Sequence, residues 1–85
     1  MKYFVYILYS EKLDRYYIGM SQDPDKRLTY HNKGIKGWTK RGIPWIKKYQ
    51  KEFVDKPTAM EKERYLKSQK SRILIEQIIK GENAL

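Results

Sequence analysis

The chain contains no cysteine and only one histidine among its 85 residues. Without cysteine it has no disulfide scaffold, no thiolate zinc site and no cysteine nucleophile. A single histidine excludes a metal site built from several histidines of one chain. No apolar stretch approaches the roughly 20 residues that cross a membrane, and the first residues lack the order of regions of a signal peptide. We therefore expect a soluble, cytoplasmic protein.

Positive charge is abundant and unevenly placed. The chain has 19 Lys and Arg against 10 Asp and Glu, and residues 23–51 alone carry nine positive and two negative charges. Two tryptophans and two tyrosines are interleaved with these cations. Such a segment indicates a polyanionic partner, most often nucleic acid; the alternative is a solvated basic surface that serves solubility. The candidates for binding nucleic acid are Lys36, Lys40, Arg41, Lys47 and Lys48.

Local patterns predict the element order β-β-α-β-α-α in one domain, residues 1–85, of mixed α/β (α+β) class. The first run, Tyr-Phe-Val-Tyr-Ile-Leu-Tyr, is apolar on both faces and predicts a strand covered on both sides. Asp23-Pro24 is typical of a helix start, and Thr58 with Glu61 has the spacing of a capping box. The predicted strands are 3–9, 16–20 and 45–54, and the predicted helices are 23–33, 58–69 and 71–80.

Three charged residues fall on faces that should be apolar. Glu63 lies four residues after Ala59 and three before Leu66, so helical spacing places it on their stripe. A carboxylate aimed at a core must be paired, protonated or bound to a cation, and an ordinary salt bridge is one of these outcomes. Arg27 and His31 share one face of the preceding helix. Alternatively, Arg27 extends along the sheet edge to solvent, and His31 is a core residue whose ring nitrogens are hydrogen-bonded.

The predicted hairpin brings two tyrosines together. If Tyr9 opposes Tyr16, then Tyr6 opposes Gly19, and Tyr17 is a diagonal neighbour of Tyr6 on the same face. A glycine opposite Tyr6 leaves space that a ligand could enter. The two tyrosines are either core aromatics with hydrogen-bonded hydroxyls or part of a site with the three charged residues.

The order and spacing of these residues resemble the GIY-YIG nuclease family over about residues 2–79. Val5-Tyr6 and Tyr17-Ile18-Gly19 match its two tyrosine motifs, the first in a degenerate form. Arg27 lies ten residues after the second tyrosine, as the family's arginine does, and His31 matches a position that is His or Tyr across the family. Ala59–Glu63 is similar to its Ala-x-x-x-Glu segment. The chain is most similar to small single-domain bacterial members related to the N-terminal domain of the excinuclease C subunit.

The resemblance implies the GIY-YIG fold, with a three-stranded antiparallel sheet flanked by helices, and metal-dependent hydrolysis of DNA phosphodiester bonds. It implies that Glu63 holds one Mg²⁺ or Mn²⁺ ion and that Arg27 binds the phosphate. Tyr17 would accept or orient the proton of the attacking water, Tyr6 would position water or phosphate, and His31 would assist or compete with Tyr17 as general base.

The expected partner is DNA, with RNA also possible and no membrane, and the expected state is a monomer or weak homodimer acting in DNA repair or processing. Met20 departs from the excinuclease domain, which has a lysine there; Lys40 is a candidate replacement. The alternative function is a catalytically weak or inactive nucleic-acid-binding module that retains the nuclease fold. A structural protein whose basic face contacts RNA or a ribosome is a third class.

Overall fold

The computed structural model describes residues 2–34 and 37–85. Its strands are β1 (Tyr3–Ser10), β2 (Arg15–Ser21) and β3 (Trp45–Phe53), its helices are α1 (Pro24–Asn32), α2 (Lys56–Gln69) and α3 (Arg72–Lys80), and a short 3₁₀-helix spans Trp38–Gly42. The predicted α+β class and the order β-β-α-β-α-α are confirmed. The 3₁₀-helix is an addition within a segment predicted to be a loop. None of the described helices is long and apolar enough to cross a membrane.

The strand β1 lies at the centre of an antiparallel sheet with the order β2-β1-β3. Val5, Tyr6, Ile7 and Leu8 are each at most 1% exposed, so both faces of this strand are covered. This confirms the expectation drawn from its unbroken apolar run. Alternate side chains enter two separate cores because successive residues of a strand point to opposite faces.

The two faces of the sheet are covered by different helices. The larger core joins β1 and β2 to α2 and α3 and contains Val5, Ile7, Ile18, Ala59, Leu66, Ile75 and Ile78. The smaller core contains Tyr6, Leu8 and Trp45, with Leu13, Tyr17, Leu28 and Ile43 packed against it. We call this second side, which α1 covers through Leu28, the α1 face. Tyr6 and Tyr17 therefore both lie on the α1 face.

Strand registers fix which side chains meet on each face. Between β1 and β2, Tyr6 pairs with Gly19, as the sequence predicted. Between β1 and β3 the register shifts by one residue. Ile7 pairs with Tyr49, but the next residue, Leu8, pairs with Lys47, so Lys48 has no partner on β1. Lys48 is consequently the extra residue of a β-bulge, which lets β3 turn Tyr49 and Lys47 to opposite faces.

The helix starts are set by aspartate side chains. Asp23 caps α1 by accepting a hydrogen bond from the Lys26 backbone N–H, as predicted. The capping box predicted at Thr58 is wrong, because α2 begins at Lys56 and its N-cap is Asp55. The Asp55 carboxylate accepts the Thr58 N–H at 2.8 Å, and this bond holds the pKa of Asp55 below its usual value. A proline within the first turn is compatible with this earlier start because its missing N–H has no helical partner there.

Replacing Leu66 by alanine tests the larger core. Leu66 is 1% exposed, and deleting a buried leucine side chain typically costs about 2–5 kcal/mol. We expect Leu66→Ala to lower the free energy of unfolding by that amount, measured by urea denaturation. The control is Ile73→Ala on α3, where the side chain is 70% exposed; its effect should stay within about 0.5 kcal/mol. Equal effects of the two substitutions would contradict the assigned core.

Candidate active site

Two tyrosines of the β1–β2 hairpin lie side by side on the α1 face. Tyr6 is opposite Gly19 and Tyr17 is opposite Leu8, which makes the two tyrosines diagonal neighbours. Their ring centroids are 6.4 Å apart with an angle of 29° between the ring planes. Tyr6 is 1% exposed, whereas Tyr17 is half-buried. Tyr17 is therefore the more accessible of the two phenols.

The space over Gly19 is occupied by the Tyr6 ring. A Cβ atom on Gly19 would lie 2.5 Å from Cζ of Tyr6, far inside the usual contact distance between carbon atoms. The expectation that this glycine leaves room for a ligand is therefore wrong. The glycine is needed so that the phenol of Tyr6 can lie across β2.

Three groups from three elements act on the Tyr6 hydroxyl. The ring of Tyr17 on β2 stacks beside that of Tyr6, and the side chains of Arg27 on α1 and Glu63 on α2 both influence the pKa of the Tyr6 hydroxyl. Burial is the main cause that raises the pKa of Tyr6 above its ordinary value of 10.0, Tyr17 adds to this rise, and Arg27 opposes it. Tyr6 is consequently a neutral phenol at neutral pH, able to donate a hydrogen bond.

The Arg27 side chain lies near Tyr6 and is also accessible to solvent. Residue Arg27 is exposed, and its guanidinium carbon lies 5.6 Å from the centroid of the Tyr30 ring. Cation–π contact of this kind holds the guanidinium in place while leaving N–H donors free of a carboxylate. The described residues provide no salt-bridge partner for Arg27, so its fork of donors suits an incoming anion.

His31 is buried beneath the two tyrosines. The residue is 3% exposed, and its ring centroid lies 4.7 Å from that of Tyr17. Both ring nitrogens are buried without a hydrogen-bond partner among the described residues. Burial, followed by the nearby charge of Arg27, lowers the pKa of His31. A neutral imidazole whose two nitrogens lack partners is costly in a core.

The end of α1 is fixed to β3 by a residue that the sequence did not suggest. Asn32 accepts a hydrogen bond from the Trp45 backbone N–H at 2.6 Å and donates one to the Trp45 carbonyl at 3.1 Å. The Trp45 indole N–H in turn donates to the Thr39 carbonyl at 2.7 Å, and its ring lies 6.2 Å from that of Tyr17. The two hydrogen bonds between Asn32 and Trp45 join residues 13 apart in the chain, so no local sequence pattern predicts them.

The negative charge of Glu63 on α2 adds to the rise in the pKa of Tyr6. The Glu63 side chain is 24% exposed and its ion pair with Lys67 is loose, with 3.7 Å between the charged atoms. The described residues contain no group of three or more His, Asp or Glu side chains that would enclose an ion. A single half-buried carboxylate suits a divalent ion such as Mg²⁺, which keeps several of its water ligands.

The basic residues predicted to bind nucleic acid lie mostly at the surface. Lys40 and Arg41 are exposed on the 3₁₀-helix, and Lys48 is exposed at the β-bulge. Lys36 lies outside the described residues. Their exposure leaves Lys40, Arg41 and Lys48 accessible to a nucleic acid.

Lys47 differs from Lys40 and Lys48 because it is already paired in the described structure. Its ammonium lies 2.5 Å from the Asp25 carboxylate of α1 and 2.6 Å from the Gln50 side-chain oxygen. Gln50 is the β3 residue opposite Tyr6. This contact joins α1 to the sheet beside the site, which gives Lys47 a structural partner whether or not it also meets a phosphate.

Comparison with known proteins places these features in a family. The sequence model of the GIY-YIG catalytic domain matches residues 2–78. The solution NMR structure of the UPF0213 protein BH0048 from Bacillus halodurans is similar to this chain, with 30% sequence identity and a TM-score of 0.59. The alignment covers 94% of this chain and 84% of that one. A search of curated proteins finds no match.

Titration of His31 tests the electrostatics of the site. The chain has a single histidine, so its imidazole proton resonances are identified in an NMR spectrum without ambiguity. We expect a pKa below the ordinary 6.5, because burial and Arg27 both disfavour the charged ring. A pKa at or above that value would contradict the buried placement.

Unfolding should depend on pH in the same region. Because the unfolded chain binds a proton at His31 more readily, the free energy of unfolding should fall as the pH drops from 6.5 towards the folded pKa. His31→Gln is the control and should remove this slope.

Proposed function

This chain belongs to the GIY-YIG catalytic domain family, a nuclease family, and we propose that it is a metal-dependent endonuclease that hydrolyses DNA phosphodiester bonds. The proposal is carried by the proximity of Arg27, Tyr17 and Glu63 to Tyr6: the ring centroids of Tyr17 and Tyr6 are 6.4 Å apart, and the charges of Arg27 and Glu63 lie near enough to shift the pKa of Tyr6. Three separate elements contribute these groups, and a packed core has no need of an arginine and a carboxylate at the same phenol. Phosphodiester hydrolysis needs a phosphate-binding cation, a group that handles the proton of water and a ligand for a divalent ion.

Arg27 binds the scissile phosphate in this proposal. Its exposed guanidinium has several N–H donors, and the planar fork matches two non-bridging oxygens of a phosphate. The contact with the Tyr30 ring limits the positions that the side chain adopts. Arg27 thus stabilises the negative charge that grows on those oxygens as water adds to phosphorus.

Tyr17 receives or orients the proton of the attacking water. The water oxygen forms a bond to phosphorus, the bond from phosphorus to the leaving oxygen breaks, and that oxygen takes up a proton. Tyr17 is half-buried, so it can meet a water, whereas both nitrogens of His31 are buried behind it. His31 therefore supports the Tyr17 ring and its proton network, and the neutral phenol of Tyr6 donates a hydrogen bond to water or phosphate.

Glu63 is the proposed ligand of one Mg²⁺ or Mn²⁺ ion. When bound, such an ion supplies positive charge to the phosphate and to the leaving oxygen. Glu63 contributes the anionic oxygen that attracts the ion, and its partial burial strengthens that attraction. Lys67 is the only described cation paired with Glu63, and at 3.7 Å it leaves carboxylate oxygens available.

The substrate proposed here is DNA chosen by its shape or only weakly by its sequence, as in repair or processing. The family match extends over residues 2–78, and Lys40, Arg41 and Lys48 all lie within it. Contacts of Lys40, Arg41 and Lys48 would go to phosphates, which fix position on the DNA but carry no sequence information.

Substitution of Glu63 by glutamine separates cleavage from binding. The amide keeps the size of the side chain but removes the charge that a divalent ion requires. We expect Glu63→Gln to reduce nicking of supercoiled plasmid and cutting of branched DNA in Mg²⁺ or Mn²⁺ at least 100-fold. DNA affinity should change less than about twofold.

The matched control is Glu61→Gln, an exposed residue on the same helix with the same change of charge, which should cleave like the parent. Normal cleavage by Glu63→Gln would show that the metal assignment is wrong. If the parent protein binds DNA in EDTA, Mg²⁺ and Mn²⁺ without cutting it, the chain is the catalytically inactive binding module instead. RNA should be included as a substrate.

Substitution of Tyr17 by phenylalanine tests its assignment as the proton acceptor. The ring contact with His31 is retained and only the hydroxyl is removed, so kcat should fall about 100-fold or more, the usual contribution of a general base. Tyr65→Phe, on an exposed residue of α2, is the control and should retain full activity. A Tyr17→Phe rate near that of the parent would move the role to His31.

A further inference from the structure

Two open depressions lie along the outer edge of β2, the edge of the sheet opposite β3. One is lined by Tyr16, Tyr17, Ile18 and Lys67. The other also has Tyr16 in its wall, so the two adjoin; it is lined by Asp14, Arg15, Tyr16, Lys70, Ser71, Arg72 and Ile75. We call these two adjoining depressions the β2 groove. It leads from Tyr17 in the candidate active site to the junction of α2 and α3.

Lys67 and Lys70 line the β2 groove, and they continue a row of side chains on α2 that begins at Glu63. Glu63, Lys67 and Lys70 follow one another at spacings of four and three residues, which places them in a row along the helix. Lys70 ends the helix in the left-handed conformation, with φ of 49°. The row begins with the proposed metal ligand and continues with two lysines, while β2 contributes Tyr17 and Arg15 to the groove.

The cations of the groove are not equally available to a ligand. Arg72 is occupied, because it lies 2.6 Å from the Asp14 carboxylate and 3.3 Å from that of Glu76. Arg15 and Lys70 are exposed, and the described residues include no carboxylate paired with either. Lys67 has only its loose contact with Glu63, at 3.7 Å, and its side chain is 54% exposed. Three cations in one groove thus have little or no internal partner.

We propose that the β2 groove binds the phosphate backbone of the DNA strand that leaves the active site, with Arg15, Lys67 and Lys70 as its phosphate contacts. The proposal rests on the proposed nuclease function. Nucleic acid is favoured over an acidic protein because Tyr17, which the proposed reaction uses, is also one of the residues that line the groove. The groove lies at the opposite edge of the sheet from β3 and its lysines.

The salt dependence of DNA binding tests the groove. We compare the double variant Arg15→Gln/Lys70→Asn with Arg64→Gln/Lys80→Gln, which removes the same charge from exposed residues elsewhere on α2 and α3. Asparagine is chosen because it tolerates the left-handed conformation of Lys70. Binding of a fluorescein-labelled duplex is measured by anisotropy in EDTA, between 50 and 200 mM KCl.

Removal of one phosphate-binding cation should reduce the slope of log K against log salt by about 0.9. The groove variant should therefore have a slope smaller by about 1.8, and its deficit in affinity relative to the parent should shrink about tenfold across that salt range. The control variant should keep the parent slope. Equal slopes for the two variants would contradict the proposal that the groove binds DNA, without affecting the proposed nuclease function. A parent protein that binds no DNA would contradict both proposals.

A cross-linking measurement gives an independent result that does not depend on affinity. Because the chain has no cysteine, Lys70→Cys creates a unique attachment point for a photoactivated cross-linker, and Arg64→Cys is the matched control on α2. We expect the label at position 70 to cross-link to DNA and the label at position 64 to do so at least tenfold less. Equal yields at the two positions would contradict the proposal.

Discussion

The close packing of the Tyr6 ring over Gly19 is the interaction on which the rest of the site depends. With no Cβ atom at position 19, the phenol lies across β2, and its hydroxyl arrives where Arg27 and Glu63 act on it. The antiparallel register of β1 with β2 sets this pairing, and burial of β1 on both faces fixes the register. A slip of one residue would send Tyr6 into the opposite core. The chemistry of the site is thus a consequence of sheet geometry.

Much of this arrangement follows from local sequence patterns. The hairpin register follows from one assumed pair, Tyr9 with Tyr16, and the cap at Asp23 is readable from Asp-Pro. The predicted start of α2 is wrong because Asp55 and Thr58 are both suitable N-cap residues. In the structure Asp55 is the N-cap, and its carboxylate accepts a hydrogen bond from the Thr58 N–H. The Tyr6 ring fills the space over Gly19 because of its side-chain rotamer, and the spacing of residues in the sequence does not predict a rotamer.

Interactions between distant residues explain the remaining differences. Asn32 binds the backbone of Trp45, and the pairing of Lys47 with Asp25 spans 22 residues; neither has a local signature. Composition locates the excess of positive charge but not its partners. The described structure divides the lysines into those already engaged, such as Lys47, and those still open, such as Lys48. The groove cations have no signal in the composition because their segments are nearly neutral overall.

The β-bulge at Lys48 has a consequence for how copies of this protein meet. β3 is an edge strand, and a flat edge with free backbone groups is a template on which a second chain adds a strand. A bulge twists the edge, and lysines along it repel an identical strand; both are devices that natural sheets use against such pairing. The residue that breaks the regular ladder therefore also makes this edge a poor template for the addition of a further strand.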